Sequence, residues 1–424
     1  MMEYSKYRDS GIPWIGKIPA HWNILRGKNI LMLLERPVQE GDDIITCFRD
    51  GEVTLRKNRR EEGFTVSMKE IGYQGVEPGD LVVHGMDGFA GAIGVSDSRG
   101  KATPVLNVMD SKENKRYLMY YLRAAAYKDV FMSLSTGIRV RSCDLRWNKL
   151  SVFPFLIPDI SEQDSIVTYI DSQIKRGDDI ISKAKASIEE YKAWKTSIIY
   201  EAVTKGLDPN VEMKDSGVEW IGKIPSQWKL VRMKNLISFM PKCDYSFCKN
   251  DTLVTFTPME CIRTGTFENR SRPYGDIDGS YTQYAEGDIV LAKVTPCFEN
   301  GNVCVMSGLY SGVGFGSSEL FVLRPQKVLD RFLLYFLQHN GFKDAACSTM
   351  TGTGGLKRVS SSFIQNCYVP YPDMDTQKEI ADYLDRKCSA IQSLICEKES
   401  LIADLEAYKK SLIFEVVTGK RRVV

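Results

Sequence analysis

The sequence has few of the features that mark a membrane or secreted protein. None of its apolar runs approaches the roughly 18 to 20 residues that span a bilayer, and its first residues, MMEYSKYRDSG, lack the apolar core of a secretion signal. We therefore expect a soluble cytoplasmic protein without a membrane partner. The net charge of +2 over 424 residues also gives no sign of the strongly basic balance of a lone nucleic-acid binder.

Metal-binding residues are scarce as well. The chain has only three histidines, His21, His84 and His339, and its 11 cysteines form no CxxC pair. Cys243 and Cys248 are the closest pair, but no second pair lies at the spacing of a zinc finger. An odd number of scattered cysteines is typical of reduced thiols in a cytosol. We predict no metal site.

Catalytic motifs are also missing. The Asn/Asp-Pro-Pro-aromatic loop of amino-methyltransferases does not occur, and the glycine-rich stretches 312–319 and 351–355 do not continue into the GK[S/T] of a phosphate loop. Asp159 followed by Glu190 and Lys192 superficially matches a magnesium-dependent nuclease, but Glu190 and Lys192 lie within a helical heptad pattern. We predict no catalytic residue in this chain.

Self-similarity is what the sequence has in abundance. DSGIPWIGKIPAHW at 9–22 returns as DSGVEWIGKIPSQW at 215–228, and GDLVV at 79–83 returns as GDIVL at 287–291. The matching segments keep their order in both copies, whereas the middle of one copy is unlike the middle of the other. The chain is therefore a tandem duplication in which two similar frames hold two different inserts.

Each copy ends in a long heptad pattern that follows the matching stretches 157–171 and 371–385. Apolar residues recur there at alternating spacings of four and three, interrupted by glycine and lysine, which is typical of a coiled-coil seam. Ser161, Asp375 and Thr376 are the expected helix caps. We predict two antiparallel helices that pair within the chain as a spacer rod of roughly 50 Å; the alternative is that both are core helices of a compact domain. The predicted seam residues are Ile170, Ile174, Ile181, Ile188, Tyr191, Ile198, Leu384, Ile391, Ile395, Ile402, Leu405 and Leu412.

Each insert reads as mixed structure. Short β-branched segments alternate with Gly, Asp and Asn turns and are followed by an aromatic helix near 117–123 or 332–338, apolar on nearly every side and hence buried. The predicted fold class is α+β, with two mixed α/β domains separated by two long antiparallel coiled-coil helices in a pseudo-twofold circular arrangement. In that arrangement Trp14 and Trp22 should pack against the C-terminal helix end rather than stack on bases.

Positive charge concentrates in the inserts, in runs such as TLRKNRR at 54–60 and RTGTFENRSR at 263–272. Arginine and asparagine read the edges of guanine and adenine. A single run of this kind is more often a solvated surface, but comparable runs in both inserts favour a binding role. The candidate DNA-binding residues are Arg56, Lys57, Asn58, Arg59, Arg60, Thr136, Arg139, Arg141, Arg263, Asn269, Arg270, Arg272, Lys293, Thr295, Asn300, Lys357 and Arg358.

The repeated DSGxxWIGKIPxxW segment, the two unlike inserts and the two repeated long helices together resemble the DNA-specificity subunits of type I restriction-modification systems. The resemblance covers essentially the whole chain. It implies four parts: an N-terminal segment with target-recognition domain 1 at 1–157, a central spacer helix at 158–207, the repeated segment with target-recognition domain 2 at 208–372, and a C-terminal spacer helix at 373–424.

The resemblance also implies the partners. Each target-recognition domain would read one half of a gapped, asymmetric site in double-stranded DNA, and the helices would dock two methylation subunits, through which a restriction subunit binds. S-adenosylmethionine, ATP and magnesium would then belong to those partner subunits in a bacterial or archaeal cell, and this chain would be non-catalytic. The alternative function is a coiled-coil adaptor that joins two protein ligands without DNA.

Overall fold

The computed structural model describes residues 4–59, 71–133, 145–352 and 355–423. The chain forms two compact units: unit 1 consists of residues 1–184 and 399–424, and unit 2 of residues 185–398. The boundaries of the units therefore fall inside the two long helices, whereas the four parts predicted from the sequence begin and end at the helix termini.

The elements of unit 1 follow the order expected for a mixed domain. Its strands are β1 (Tyr7–Asp9), β2 (Lys17–Pro19), β3 (Asn23–Arg26), β4 (Met32–Leu33), β5 (Ile45–Cys47), β6 (Val53–Leu55), β7 (Gln74–Val76), β8 (Leu81–His84), β9 (Ile93–Val95), β10 (Gly100–Ala102), β11 (Leu106–Asp110) and β12 (Pro154–Ile157). Its helices are α1 (Lys115–Tyr127), α2 (Val130–Ser133), α3 (Trp147–Leu150) and the first part of α4 (Ile160–Lys205).

Unit 2 repeats this order. Its strands are β13 (Met213–Asp215), β14 (Lys223–Pro225), β15 (Lys229–Arg232), β16 (Ile237–Phe239), β17 (Leu253–Thr257), β18 (Ile262–Arg263), β19 (Thr266–Phe267), β20 (Ser271–Pro273), β21 (Thr282–Ala285), β22 (Ile289–Ala292), β23 (Val303–Val305), β24 (Val313–Gly316), β25 (Leu320–Pro325) and β26 (Tyr368–Tyr371). Its helices are α5 (Asp330–Gln338), α6 (Asn340–Cys347), α7 (Ser361–Asn366) and the first part of α8 (Met374–Val417).

One antiparallel sheet is common to both units. Its strand order is β4-β11-β8-β9 in unit 1 and β16-β25-β22-β23 in unit 2. The repeated GDLVV and GDIVL segments supply β8 and β22, whose apolar residues are buried at the centre of each sheet. The aromatic helices α1 and α5 are buried as predicted, because Tyr117, Tyr121, Phe332 and Phe336 have no exposed surface. The α+β fold class is confirmed.

The inserts also share a second layer that their sequences do not reveal. In unit 2 it is a four-stranded sheet of order β20-β17-β24-β21, with β17 and β24 parallel. In unit 1 it consists of the antiparallel pairs β5–β6 and β7–β10, joined by one parallel bridge between Ile44 and Lys101. Two inserts with unlike sequences therefore have the same strand connectivity.

The long helices run antiparallel in each unit. In unit 1, Ile170 of α4 shares a core with Val416 of α8, while Asp178 lies 2.5 Å from Lys409 Nζ. The lysine stem also passes Gly177, whose position leaves a Cβ only 3.4 Å from Lys409 Cδ. The glycine and the lysine that interrupt the two heptad patterns therefore face each other.

The same helix pairing is found in unit 2, where Lys195 Nζ of α4 contacts Gln392 Oε1 of α8 at 3.4 Å. Along both helices, every residue assigned to the seam from the sequence is buried or half-buried, and none is exposed.

The caps of the long helices differ from the prediction. Asp159 Oδ1 accepts hydrogen bonds from the Glu162 amide at 2.9 Å and from Ser161 Oγ at 2.8 Å. Asp373 Oδ1 accepts from the Thr376 amide at 2.8 Å. The two aspartates lie just before the first helical residues and are therefore the caps, while Ser161, Asp375 and Thr376 belong to the first turns.

The C-terminal end of α8 packs on the N-terminal segment within unit 1. Lys420 Nζ donates to the Lys17 carbonyl at 2.7 Å, and a Cβ on Gly419 would lie 2.3 Å from Pro19. Trp14 contacts Phe414 of α8 with ring centroids 6.3 Å apart. This is the tryptophan packing that the order of the repeats predicts.

Candidate nucleic-acid interface

The basic run of unit 1 begins as a 3-10 turn, Arg56–Asn58, directly after β6. Lys57 Nζ lies 2.5 Å from Asp43 Oδ2, and Asn58 Nδ2 donates to Thr54 Oγ1 at 2.9 Å. Both side chains are tied to neighbours of the same ladder, so the turn has a defined shape.

Arg59 follows that turn and is also engaged. Its guanidinium lies 4.3 Å from the centroid of the Phe48 ring, 2.7 Å from Asp50 Oδ2 and 3.2 Å from Glu52 Oε2. Two carboxylates therefore offset its charge. The remaining candidates of unit 1 lie outside the described residues: Arg60, Thr136, Arg139 and Arg141.

The first candidates of unit 2 are committed to the fold. Arg263 Nη1 donates to the carbonyl of Ile262 at 2.9 Å. Asn269 uses both ends of its amide, since Oδ1 accepts from Thr255 Oγ1 at 2.9 Å and Nδ2 donates to the Gly308 carbonyl at 2.8 Å. The amide of Asn269 thus positions the Gly308 loop.

Arg270 forms a bidentate pair. Its Nε and Nη2 contact the two carboxylate oxygens of Glu268 at 2.8 and 2.7 Å, and Glu260 Oε1 lies 3.9 Å away. The hydrogen bonds from Arg270 hold the pKa of Glu268 below its usual range, so the carboxylate stays charged and offsets the guanidinium.

Arg272 is in a different state. Its guanidinium carbon lies 4.1 Å from the centroid of the Phe256 ring, and no acceptor or carboxylate in the described part of the chain binds it. The Phe256 ring is itself held by Tyr281, edge-on at a centroid distance of 5.1 Å. Arg272 is therefore a positioned cation with free hydrogen-bond donors.

Two other basic stretches, distant in the sequence, meet in unit 2. The Thr295 amide donates to the Lys357 carbonyl at 3.0 Å, and the Val359 amide donates to the Lys293 carbonyl at 2.9 Å. Thr295 Oγ1 accepts from the Lys357 amide at 2.9 Å. These contacts place Lys293 and the exposed Lys357 at one short ladder.

The side chains of this ladder differ in how far they are engaged. Arg358 forms a bidentate pair with Glu319, at 2.8 and 3.0 Å, and this pair lowers the pKa of the Glu319 carboxyl. Lys293 lies over the Phe321 ring at 5.7 Å. Asn300 is exposed near the end of the preceding loop.

Residues 225–398 match the family model of the type I restriction modification DNA specificity domain. Over 232 residues, the chain is 30% identical to the Type I restriction enzyme EcoAI specificity subunit and 28% identical to the EcoEI specificity subunit, both of Escherichia coli. Each match covers 54% of this chain but 38% of the relative, so the chain spans about two fifths of the length of these relatives. A solved chain from a study of type I restriction-modification complex assembly has the same fold, with a TM-score of 0.71 at 13% identity over 94% of this chain and 98% of that one.

The chain belongs to the type I restriction-modification specificity subunits.

Two buried ion pairs support the sheets of this specificity subunit, and the sequence gave no direct sign of them. In unit 2, Asp288 is fully buried and receives Arg324 Nε at 2.7 Å and Nη2 at 2.8 Å. In unit 1, Asp80 receives both terminal nitrogens of Arg36. Each carboxylate raises the pKa of its arginine through these hydrogen bonds. The aspartate of the repeated Gly-Asp turn was the available signal, but its partner comes from a different strand in each copy.

His339 is the most enclosed polar side chain near the tryptophan of the second repeat. Its ring lies 5.3 Å from that of Trp220 and 5.7 Å from that of Phe336, and its Nδ1 accepts from the Phe342 amide at 3.4 Å. Burial disfavours the charged imidazolium and lowers the pKa of His339 to about 4. The side chain is therefore a neutral cap of α6.

Among the described residues of the specificity subunit, no cluster of His, Cys, Asp and Glu could hold a metal ion, and the cysteines seen there are free thiols. None of the described helices is both long and apolar enough to cross a membrane.

Proposed function

We propose that this specificity subunit binds double-stranded DNA and reads an asymmetric, gapped site in two halves, one with each unit. The observation that carries the proposal is the repetition of one strand connectivity, β6-β5-β10-β7 and β20-β17-β24-β21, around different exposed side chains. A common scaffold with unlike polar surfaces suits two half-sites of different sequence.

The repeated frame supports the proposed protein partners. Both units contain the same hairpin, the same strand pair (β3–β12 or β15–β26) and the same antiparallel helix pair. Like surfaces on two units suit two copies of one partner, which we assign as methylation subunits, with a restriction subunit bound through them. The proposal leaves S-adenosylmethionine, ATP and magnesium with those subunits in a bacterial or archaeal cytoplasm, and this chain without a catalytic step.

The test is DNA binding by the complete complex as the salt concentration varies. Replacing Lys357 and Arg358 by alanine should weaken binding to every duplex, because each lost phosphate contact lowers the slope of log K against log salt by about 0.9. Arg139→Ala with Arg141→Ala should act in the same direction. Assembly with the methylation subunits should be unchanged, since these residues lie away from the helices.

Lys327→Ala is the matched control, because Lys327 is an exposed lysine of unit 2 outside the basic runs. Its complex should bind DNA as the unmodified complex does. A complex that assembles fully but shows no salt-dependent affinity for DNA would instead be the behaviour of a protein adaptor, and the proposal would be wrong.

A further inference from the structure

We propose that Arg272 is a specificity-determining residue that reads a guanine in the half-site bound by unit 2. The inference rests on the proposed function and adds the residue and the base. It starts from the state of the guanidinium, which is stacked on Phe256 at 4.1 Å and has no acceptor among the described residues.

The other arginines of the second-layer region are already used. Arg270 is paired with Glu268, and Arg263 donates to a backbone carbonyl. Arg358 and Arg324 are bidentate partners of Glu319 and Asp288. Reading a base with any of these would first require breaking an internal pair, which lowers the net gain. Arg272 needs no such exchange.

The position of Arg272 also gives access. Its strand, β20, is the edge of the β20-β17-β24-β21 sheet, and Arg272 lies opposite Val254 in the register. Phe256 follows two residues after Val254 and therefore lies on the same face of the sheet. The exposed edge next to this face leaves room for a DNA groove, which accommodates β-strands as well as helices.

Stacking fixes the plane of the guanidinium without occupying its donors. The ring attracts the cation through its face, whereas all five N–H groups point outward in the guanidinium plane. The ring cannot turn freely, because Tyr281 contacts it edge-on. Less side-chain freedom is lost on binding when the donors are already oriented.

Guanine is the base that fits this donor set. Its major-groove edge presents two acceptors, N7 and O6, which match two parallel donors of one guanidinium. Adenine presents one acceptor and one donor there, so the second arginine N–H would face another donor. A phosphate would also accept two donors, but such a contact affects all sequences alike.

Unit 1 has a stacked arginine of the opposite kind. Arg59 lies over Phe48 at 4.3 Å but is paired with Asp50 and Glu52. The same stacking without free charge indicates that the two units do not present equivalent readers, in agreement with an asymmetric site.

The experiment uses the full complex with its methylation subunits and compares unmodified, Arg272→Lys and Phe256→Leu proteins. Binding is measured against the methylated duplex and against duplexes in which each base pair of the second half-site is replaced in turn. The unmodified complex should discriminate one G·C pair by about 5- to 150-fold, the range of one good bidentate contact. Arg272→Lys should remove that discrimination at the one position, keep it at the others, and leave the first half-site unchanged.

Phe256→Leu should reduce the same discrimination partly, because the arginine remains but loses its support. Arg232→Lys is the matched control, since Arg232 also lies over an aromatic ring of unit 2, Tyr368 at 5.5 Å, but on the strand pair of the frame. It should leave base preference unchanged. Thermal unfolding of each variant confirms that it is folded.

Equal weakening at every position by Arg272→Lys would identify a phosphate contact and overturn the assignment, as would unchanged discrimination. These outcomes leave the proposed function intact, because the complex still prefers its site. If the unmodified complex has no sequence preference at all, the proposed function fails, and the assignment fails with it.

Discussion

The neutral state of His339 has a consequence for stability. Burial lowers its pKa to about 4 from a usual value of 6.5, so protonation favours the unfolded chain. A depressed histidine pKa contributes stability that is complete above about pH 6.5 and is lost as the pH falls toward 4. A shift of this size corresponds to about 3 kcal/mol.

We expect His339→Asn to remove that pH dependence. Asparagine is a favourable helix cap and does not titrate, so the variant should lose less stability than the unmodified protein between pH 6.5 and 4. The measurement is the free energy of unfolding at several pH values, taken as the difference between the two proteins so that shared carboxylates cancel. A constant difference across this range would contradict the assignment of a neutral, buried imidazole.

Single residues also show what sequence patterns cannot provide at a binding surface. Arg270 and Arg272 are two residues apart in one basic run, yet one is neutralised by Glu268 and the other is stacked on Phe256. The difference depends on which residues the fold brings beside them. The sequence therefore predicts the run as a candidate site, but not which of its members has donors to spare.

At the scale of elements, the long helices are the part that the sequence predicts best. A heptad pattern is local and repeats many times along one helix, so each residue adds to the same conclusion. The second-layer strands are only two to five residues long, and β5 reaches β10 through a single bridge. Pairings of this kind depend on contacts far apart in the sequence, which is why the common connectivity of the inserts was not predicted.

The helix seam can be tested by placing a charge in it. Ile181→Asp and Ile395→Asp should each destabilise the protein by about 3 to 5 kcal/mol, because both residues are buried and an unpaired charge there is not compensated. Denaturant unfolding and binding of the methylation subunits provide the measurement.

The neighbouring positions supply matched controls. Ile180 is 45% exposed and Leu394 is 37% exposed, so Ile180→Asp and Leu394→Asp should change stability by less than about 1 kcal/mol. Equal effects of the buried and exposed substitutions would mean that the seam residues do not hold the helix pair together.

At the scale of the whole molecule, each unit is completed by a helix segment from the other copy. Unit 1 takes residues 399–424, which correspond in the repeat to the segment from 185 onward; SIIYEAVT at 197–204 matches SLIFEVVT at 411–418. A fragment of residues 1–207 contains that equivalent segment. Two such fragments can therefore exchange helix ends, each completing the other.

We expect residues 1–207, combined with the methylation subunit, to dimerise and to methylate a gapped palindrome of the first half-site. The measurement is the mass of the fragment in solution and a map of methylated sites. Residues 1–184 are the control, because this shorter fragment lacks the completing segment and should not assemble. Methylation at the original asymmetric site, or at a continuous one, would refute the two-copy interpretation.

The two buried aspartates bear on how such a molecule can recombine. Leu323 pairs with Ile289 and Met109 with Leu81, so the next residues along, Arg324 and Asp110, occupy equivalent places in the two sheets. A crossover that gave unit 2 the β11 strand would remove the partner of Asp288 and bring a second carboxylate beside it. Such a recombinant would bury uncompensated charge, whereas a crossover in the repeated frame exchanges each aspartate together with its own arginine. Inheritance of new specificities is therefore favoured in whole inserts rather than strand by strand.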